Sequence, residues 1–277
     1  MSSFSDALHA ALPGLEKIRD GLGPYPTASH AALMRLRSLR PTVAETPPAP
    51  RPVPAVQAPG PAAATVSLES DSWTLDSLRE AALACVKCPH LVKSRTQVVF
   101  GVGNPNADLM FVGEAPGADE DAEGEPFVGK AGQLLTKIIG AMGFSRDQIY
   151  IGNVLKCRPD MPAGSMGNRK PRPEEMKTCL PWLEKQIALI KPKVLVALGA
   201  TAVEGLLGNT EPVGKLRGRF LDFQGIPVMT TYHPAYLLRN QSISEKRKVW
   251  EDMLKVLERL DLPISEKQRN FFTKSDS

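Results

Sequence analysis

Leu109-Met110-Phe111-Val112-Gly113-Glu114-Ala115-Pro116-Gly117 passes from an apolar run of strand length into a turn bearing glycine and proline. The chain continues through Ala118-Asp119-Glu120-Asp121-Ala122-Glu123-Gly124-Glu125-Pro126-Phe127-Val128-Gly129 and leaves through Lys130-Ala131-Gly132-Gln133-Leu134-Leu135 into an apolar helix. A short run that is apolar at every position suits a strand covered on both faces. Glycine lets backbone approach a ligand closely and adopt positive φ, whereas proline holds a turn rigid. Open α/β sheets bind their ligands at loops leaving the carboxyl ends of strands. Residues 113–135 are therefore a site candidate as well as the pointer to the fold.

Outward from this stretch, three more apolar runs have strand length: Ile149–Leu155, Val194–Leu198 and Pro227–Thr231. Helical patterns lie between and after them, over Gly132–Met142, Pro173–Ile190, Thr201–Leu207 and Ser244–Leu260. Strands alternating with helices predict a three-layer α/β/α fold around a central, mostly parallel four-stranded sheet. Phe220–Phe223 is expected to add a short hairpin before the last strand. Upstream, Thr74 or Asp76 can cap a helix whose Leu75, Leu78, Ala82 and Cys85 share one face.

The folded domain is expected to occupy residues 72–262, followed by a C-terminal tail, 263–277. Residues 41–62 hold eight prolines among alanines and valines; such sequence favours extended polyproline-like conformations and cannot bury enough surface to fold. Residues 41–71 are thus read as a semi-rigid, disordered linker. Residues 1–40 carry amphipathic patterns around Leu8–Ile18 and His30–Leu39 and no catalytic signal. They are read as a partly ordered tail, with a docking segment for a protein partner as the sharper alternative.

With 42% hydrophobic and 23% charged residues, the composition is that of a globular protein. It contains no apolar run of the roughly 18 or more residues a membrane helix needs. Asp6, Glu16 and Asp20 interrupt the first residues, where a signal peptide would be apolar; a cytoplasmic location with no membrane attachment is expected. The net charge of +4 is spread thinly, too evenly to announce nucleic-acid binding without local clusters.

All four cysteines, Cys85, Cys88, Cys157 and Cys179, lie in the expected domain. In a reducing compartment Cys-x-x-Cys suggests metal or redox chemistry rather than a disulfide. Spacing alone favours structural zinc, with a four-iron cluster on the same thiolates second. A thioredoxin-like pair fits poorly, because Cys85 and Cys88 follow the end of a helix.

Taken together, Gly113-Glu114-Ala115-Pro116-Gly117, Pro126-Phe127-Val128-Gly129-x-Ala131-Gly132-Gln133-Leu134-Leu135, Asn153-x-x-Lys156-Cys157-Arg158-Pro159 and His233-Pro234-Ala235 resemble the family 4 uracil-DNA glycosylases, the iron–sulfur branch of the uracil glycosylase superfamily. The similarity runs from about Thr74 to Leu260, with the cysteines interleaved in family order. It implies hydrolysis of the deoxyuridine N-glycosidic bond in double- or single-stranded DNA, initiating base excision repair. It also implies a [4Fe-4S] cluster on the four cysteines, reversing the zinc-first ranking.

The resemblance further places Phe127 as the ring that stacks on uracil, Asn153 as the reader of the uracil edge, and His233 as the donor to uracil O2. A carboxamide offers both a donor and an acceptor, which matches uracil O4 and N3–H. Glu114 and Glu120 are placed near the uracil and the attacking water, and Gly113, Ala115, Gly117 and Asn168 along the substrate. Ala115 stands where the better-known family 1 enzymes carry a water-activating aspartate, so the general base stays open. For DNA contact the expectation is Lys215 and Arg217, a basic cluster with Arg219, together with Leu237, Leu238 and Arg239 after the histidine. Lys246, Arg247 and Lys248 form a second basic cluster. The chain is expected to act as a monomer.

One departure from the family pattern lies between Cys157 and Cys179. Asp160-Met161-Pro162-Ala163-Gly164-Ser165-Met166-Gly167 precede Asn168-Arg169, a longer turn than usual. A longer surface loop closes at little extra entropic cost, so the cluster should survive it. Two alternatives remain: a damage-binding protein of the same fold without efficient cleavage, and a metal-dependent nucleotide or phosphoryl-transfer enzyme using the acidic loop. The combined presence of Phe127, Asn153 and His233 argues against the first, and the lack of a glycine-rich Lys-Ser/Thr phosphate loop against the second. A related branch that traps its product covalently needs a histidine between residues 157 and 179, and none occurs.

Overall fold

The computed structural model describes residues 72–162 and 167–273. The expected N-terminal tail and proline-rich linker lie outside the described residues. Thr74 caps the first helix, α1 (Leu75–Leu83), through a reciprocal pair: Ser77 N donates to Thr74 Oγ1 at 3.1 Å and Thr74 N to Ser77 Oγ at 3.0 Å. This capping box satisfies amides that have no partner within the helix.

The strands β1 (Val102–Gly103), β2 (Leu109–Gly113), β3 (Tyr150–Asn153), β4 (Val194–Leu198), β5 (Phe220–Phe223) and β6 (Ile226–Thr231) form one six-stranded sheet in the order β1-β3-β2-β4-β6-β5. Its centre, β3-β2-β4-β6, is parallel and corresponds to the four expected strands. The sheet is larger than expected by two antiparallel edges, β1 on β3 and β5 on β6. β5 is the anticipated hairpin strand. β1 is two residues long and ends in glycine, so no alternation could betray it.

Side chains of the central strands alternate between two cores, as a strand's period of two requires. Met110, Val112, Leu195 and Ala197 face α5 (Pro173–Ile190) and α6 (Ala200–Leu207). Leu109, Phe111, Val194, Val196 and Leu198 face α4 (Lys130–Met142) and α9 (Ile243–Arg259). Phe111 is fully buried; truncating a phenylalanine in such a core costs about 3–5 kcal/mol. A third core joins α1, α2 (Pro89–Ser94) and the four cysteines around Trp182 and Phe100. Within α9, Trp250 Nε1 donates to the carbonyl oxygen of Gln268 in α10 (Glu266–Arg269) at 2.5 Å, and Gln268 Nε2 to Ala141 O at 2.9 Å. Residues past 262 thus pack on α4 and α9. Among the described residues no helix is long and apolar enough to cross a membrane.

Candidate active site

Loops from the carboxyl ends of β2, β3 and β6 meet at one cavity of about 130 Å³, lined by Ala115, Gly117, Glu120, Phe127, Asn153, Asn168 and His233 among others. A wider cavity of about 500 Å³ shares Ala115, Asn168 and His233 with it and adds Glu114, Pro116 and Arg239. Glu114, Glu120, Ala115, Gly117, Phe127, Asn153, Asn168, His233 and Arg239 are therefore brought together, although they span more than a hundred residues of chain.

The pairing of β2 with β3 continues past the strands: Val154 N donates to Gly113 O and Leu155 N to Glu114 O, each at 3.0 Å. This register sets Asn153 directly against Gly113. A Cβ on Gly113 would lie 2.4 Å from Asn153 Oδ1 and 2.5 Å from the Phe127 ring, so glycine is what lets those two side chains share the floor of the cavity. Phe127 itself adopts φ 57°, in the left-handed region. Backbone strain of this kind persists only where surrounding structure fixes it. Here Arg146 does so, donating to Pro126 O at 2.9 Å and Phe127 O at 3.2 Å. No sequence signal marks Arg146 for this role.

The acidic run is less solvated than its composition suggests. It folds as α3 (Ala118–Glu123), and Glu120 turns back to accept from Gly117 N at 3.1 Å and from Val128 N and Gly129 N at 3.0 Å. Asp121 is buried and accepts from Thr96 N. These carboxylates are engaged by backbone amides, which leaves little for a divalent cation to bind. Glu114 is different. Burial raises its carboxyl above the ordinary value, opposed by a hydrogen bond from Thr201 and the charge of Lys170.

Asn153 is buried, and its Oδ1 has no hydrogen-bond partner. An unpaired buried acceptor costs about 1–3 kcal/mol, and this one faces the cavity beside Phe127. His233 caps α8 (Pro234–Arg239), its Nδ1 accepting from Ala235 N at 3.1 Å. That bond leaves the ring proton on Nε2. Burial, helped by Arg239, lowers its pKa to about 4, so the imidazole is neutral at physiological pH. Its ring stands 5.6 Å from that of Phe127, centroid to centroid.

The other expected DNA contacts are distributed unevenly. Leu237 is buried, whereas Leu238 beside it is exposed. Lys215 is exposed on α7 (Val213–Leu216). Arg217 is directed inward: its Nη2 and Nε donate to fully buried Asp252 at 2.8 and 3.2 Å. Asp252 also accepts from Thr231 Oγ1 at 2.6 Å, two residues before His233. Arg247 and Lys248 are likewise paired, with Glu251 and Glu245.

The four cysteines belong to one cluster. Arg95 Nη1 donates to Cys157 Sγ at 2.9 Å and Lys156 N to Cys179 Sγ at 3.2 Å. Burial pushes the Cys179 thiol up to about 12 and raises those of Cys88 and Cys157 as well, so a cationic centre is needed to hold them as thiolates. Among the described residues, the only His, Cys, Asp or Glu trio with ligand atoms all within 4.8 Å of one another is His90, Asp160 and Glu175. No three of the cysteine sulfurs come that close. The N–H donors on two of the sulfurs suit thiolate ligands of a metal centre.

Comparison with known proteins agrees with this geometry. The family model of the uracil DNA glycosylase superfamily matches residues 100–254. A type-4 uracil-DNA glycosylase from Thermotoga maritima is 45% identical over 184 residues, covering 65% of this chain and 92% of the relative. Type-4 enzymes from Sulfurisphaera tokodaii and Archaeoglobus fulgidus are 40% and 39% identical, over 84% and 87% of their lengths. A type-5 enzyme from Pyrobaculum aerophilum is 30% identical over 87% of its length. The chain belongs to the uracil DNA glycosylase superfamily and, within it, to the type-4 uracil-DNA glycosylases.

Proposed function

We propose that this protein hydrolyses the N-glycosidic bond of deoxyuridine in DNA, releasing uracil and leaving an abasic site as the first step of base excision repair. The observation that carries the reading is the unpartnered Oδ1 of buried Asn153, beside Phe127 in the cavity that the neutral His233 also lines. A base must leave the helical stack to reach such a cavity, at a cost of a few kcal/mol. Phe127 replaces part of the lost stacking. Asn153 Oδ1 accepts from uracil N3–H while its Nδ2 donates to O4; cytosine presents an acceptor at N3 and a donor at N4 and is rejected.

As the bond between sugar C1′ and uracil N1 breaks, its electron pair leaves with the base and charge collects on O2. The Nε2–H of His233 donates to that oxygen, a preorganised dipole aimed at developing charge. Water adds its oxygen to C1′, and the proton it gives up ends, by way of solvent, on the departed uracil anion. Glu120 is occupied by backbone amides, so we assign it to holding the loop. Glu114 is the carboxylate left to orient the water. Its raised pKa predicts a rate that falls as pH drops towards it from neutrality, a limb that Glu114→Gln would abolish.

Cys85, Cys88, Cys157 and Cys179 would hold a [4Fe-4S] cluster, which cross-links the segments that carry them. Leu238 is the residue available to fill the vacated stack, with Arg239 at the mouth of the cavity and Lys215 on the outer surface for phosphate. Residues 72–262, with the segment to 273 packed on them, are taken as the glycosylase unit, acting as a cytoplasmic monomer, and residues 1–40 as a docking segment for a protein partner. The test is single-turnover uracil release from uracil-containing DNA by brown, iron-loaded protein in EDTA. Release is expected; its absence would refute the reading.

A further inference from the structure

Asn168 lines both cavities but is exposed and sits on a segment with neither helix nor strand. The residue after it is tied far more firmly. Arg169 Nη1 and Nη2 donate to Glu175 Oε2 and Oε1 at 2.9 and 2.6 Å, and its Nε donates to Asp160 O at 2.8 Å. Nη2 also reaches Asp160 Oδ1. Glu175 is almost completely buried, and accepts in addition from Arg172 N at 2.7 Å and meets His90 Nε2 at 2.7 Å. The His90, Asp160 and Glu175 trio is not a vacant cation site, because the Arg169 guanidinium already bonds two of its members.

The partners in this network are placed by the cysteines. His90 follows Cys88 by two residues, Asp160 follows Cys157 by three, and Glu175 precedes Cys179 by four. Gly167, directly before Asn168, is held as well, with Arg158 Nη2 donating to its carbonyl oxygen at 3.3 Å. A fork-to-fork pair between arginine and carboxylate fixes orientation as well as distance. It does so here one residue from a cavity wall that nothing regular supports.

We infer that Glu175, acting through Arg169, is the positioning residue that holds Asn168 against the uracil cavity, so that this part of the wall is set by the elements flanking the cysteines. The inference rests on the proposed uracil chemistry and adds to it a route by which residues remote from the base act on catalysis. Asn168 lines both cavities, Arg169 only the wider one, and Glu175 neither.

The test is a double-mutant cycle in the iron-loaded protein. Glu175→Gln and Arg169→Lys are each measured with Asn168 present and with Asn168→Ala, by single-turnover uracil release at saturating DNA. Arg169→Lys keeps the charge but cannot span both carboxylates, so it serves if Glu175→Gln folds poorly; thermal unfolding and the visible spectrum are recorded for each. Asn168→Ala is expected to slow release about tenfold, and each clasp variant by a similar factor, with less than about twofold further loss when the two are combined. Equal losses in both backgrounds would overturn the inference, as would clasp variants with unchanged rates beside an impaired Asn168→Ala. Unimpaired Asn168→Ala would overturn it differently, by removing Asn168 from the site. Loss of release by the unmutated protein would instead sink the glycosylase reading itself.

Discussion

The uracil cavity and the cysteine lobe are built on opposite electrostatic plans. In the lobe, the acceptors near the cysteines are heavily partnered, and only the donors Trp73 Nε1 and Arg158 Nε are left over: Glu175 takes donors from Arg169, Arg172 and His90, Arg95 reaches both Cys157 Sγ and Cys85 O, and buried Lys156 Nζ donates to Gln186 Oε1. In the cavity, the acceptor of Asn153 is left without a partner and the Nε2–H of His233 points away from the one bond its ring makes to the backbone. Because an unpaired buried acceptor is costly, its survival beside a site of ligand dimensions marks capacity held for substrate. Saturated networks mark architecture.

The comparison can be broken at several points. The largest effect is expected in the cavity: His233→Ala or Asn153→Ala should slow single-turnover uracil release by about 10²–10³-fold, leaving the unfolding temperature nearly unchanged. A large fall in stability with either variant would mean that these groups are structural after all. Cys179→Ala should act the other way round, lowering iron content and unfolding temperature together, with activity lost only in proportion to folded protein. Iron analysis beside thermal unfolding would decide it.

Arg217 offers an intermediate case, since sequence groups it with Lys215 as a DNA contact but its guanidinium lies on buried Asp252. Arg217→Met should cost about 3 kcal/mol of stability, the consequence of stranding a buried carboxylate, and leave the salt dependence of DNA binding unaltered. A salt slope reduced by about one would return Arg217 to the DNA face. The smallest effect concerns pH. Its donors hold the Glu175 carboxyl at about 2, well below its ordinary value. A carboxyl depressed on folding stabilises the protein above its unfolded pKa, and that contribution is lost as pH falls from about 4.5 towards 2. Glu175→Gln should flatten unfolding free energy against pH in that window; an unchanged slope would remove Glu175 from the acid-sensitive set.

Much of the fold was legible because strand and helix periodicity are local. The bounds expected for the helix over Pro173–Ile190 coincide with those of α5, and of the two caps its sequence offered, Thr74 and Asp76, the first is used. The residues lining the cavity were legible only through motif resemblance. What escaped has physical reasons. Nothing in Asp119-Glu120-Asp121 distinguishes a solvated loop from a helix whose middle carboxylate turns back onto three amides. Leu237 and Leu238 are the same residue type, and only the packing of α8 against α4 buries the first. Arg146, Arg169 and Asp252 serve through partners 19, 6 and 35 residues away, separations at which sequence periodicity is silent.

The most direct measurement counts products. Duplex DNA carrying a single U·G pair, incubated with the iron-loaded protein in EDTA, is assayed for free uracil and for abasic sites, with Asn153→Ala in parallel. The account predicts one uracil released per abasic site formed and a rate lowered at least a hundredfold in the variant. Absence of uracil release by the wild-type protein, or release by Asn153→Ala at the wild-type rate, would contradict it.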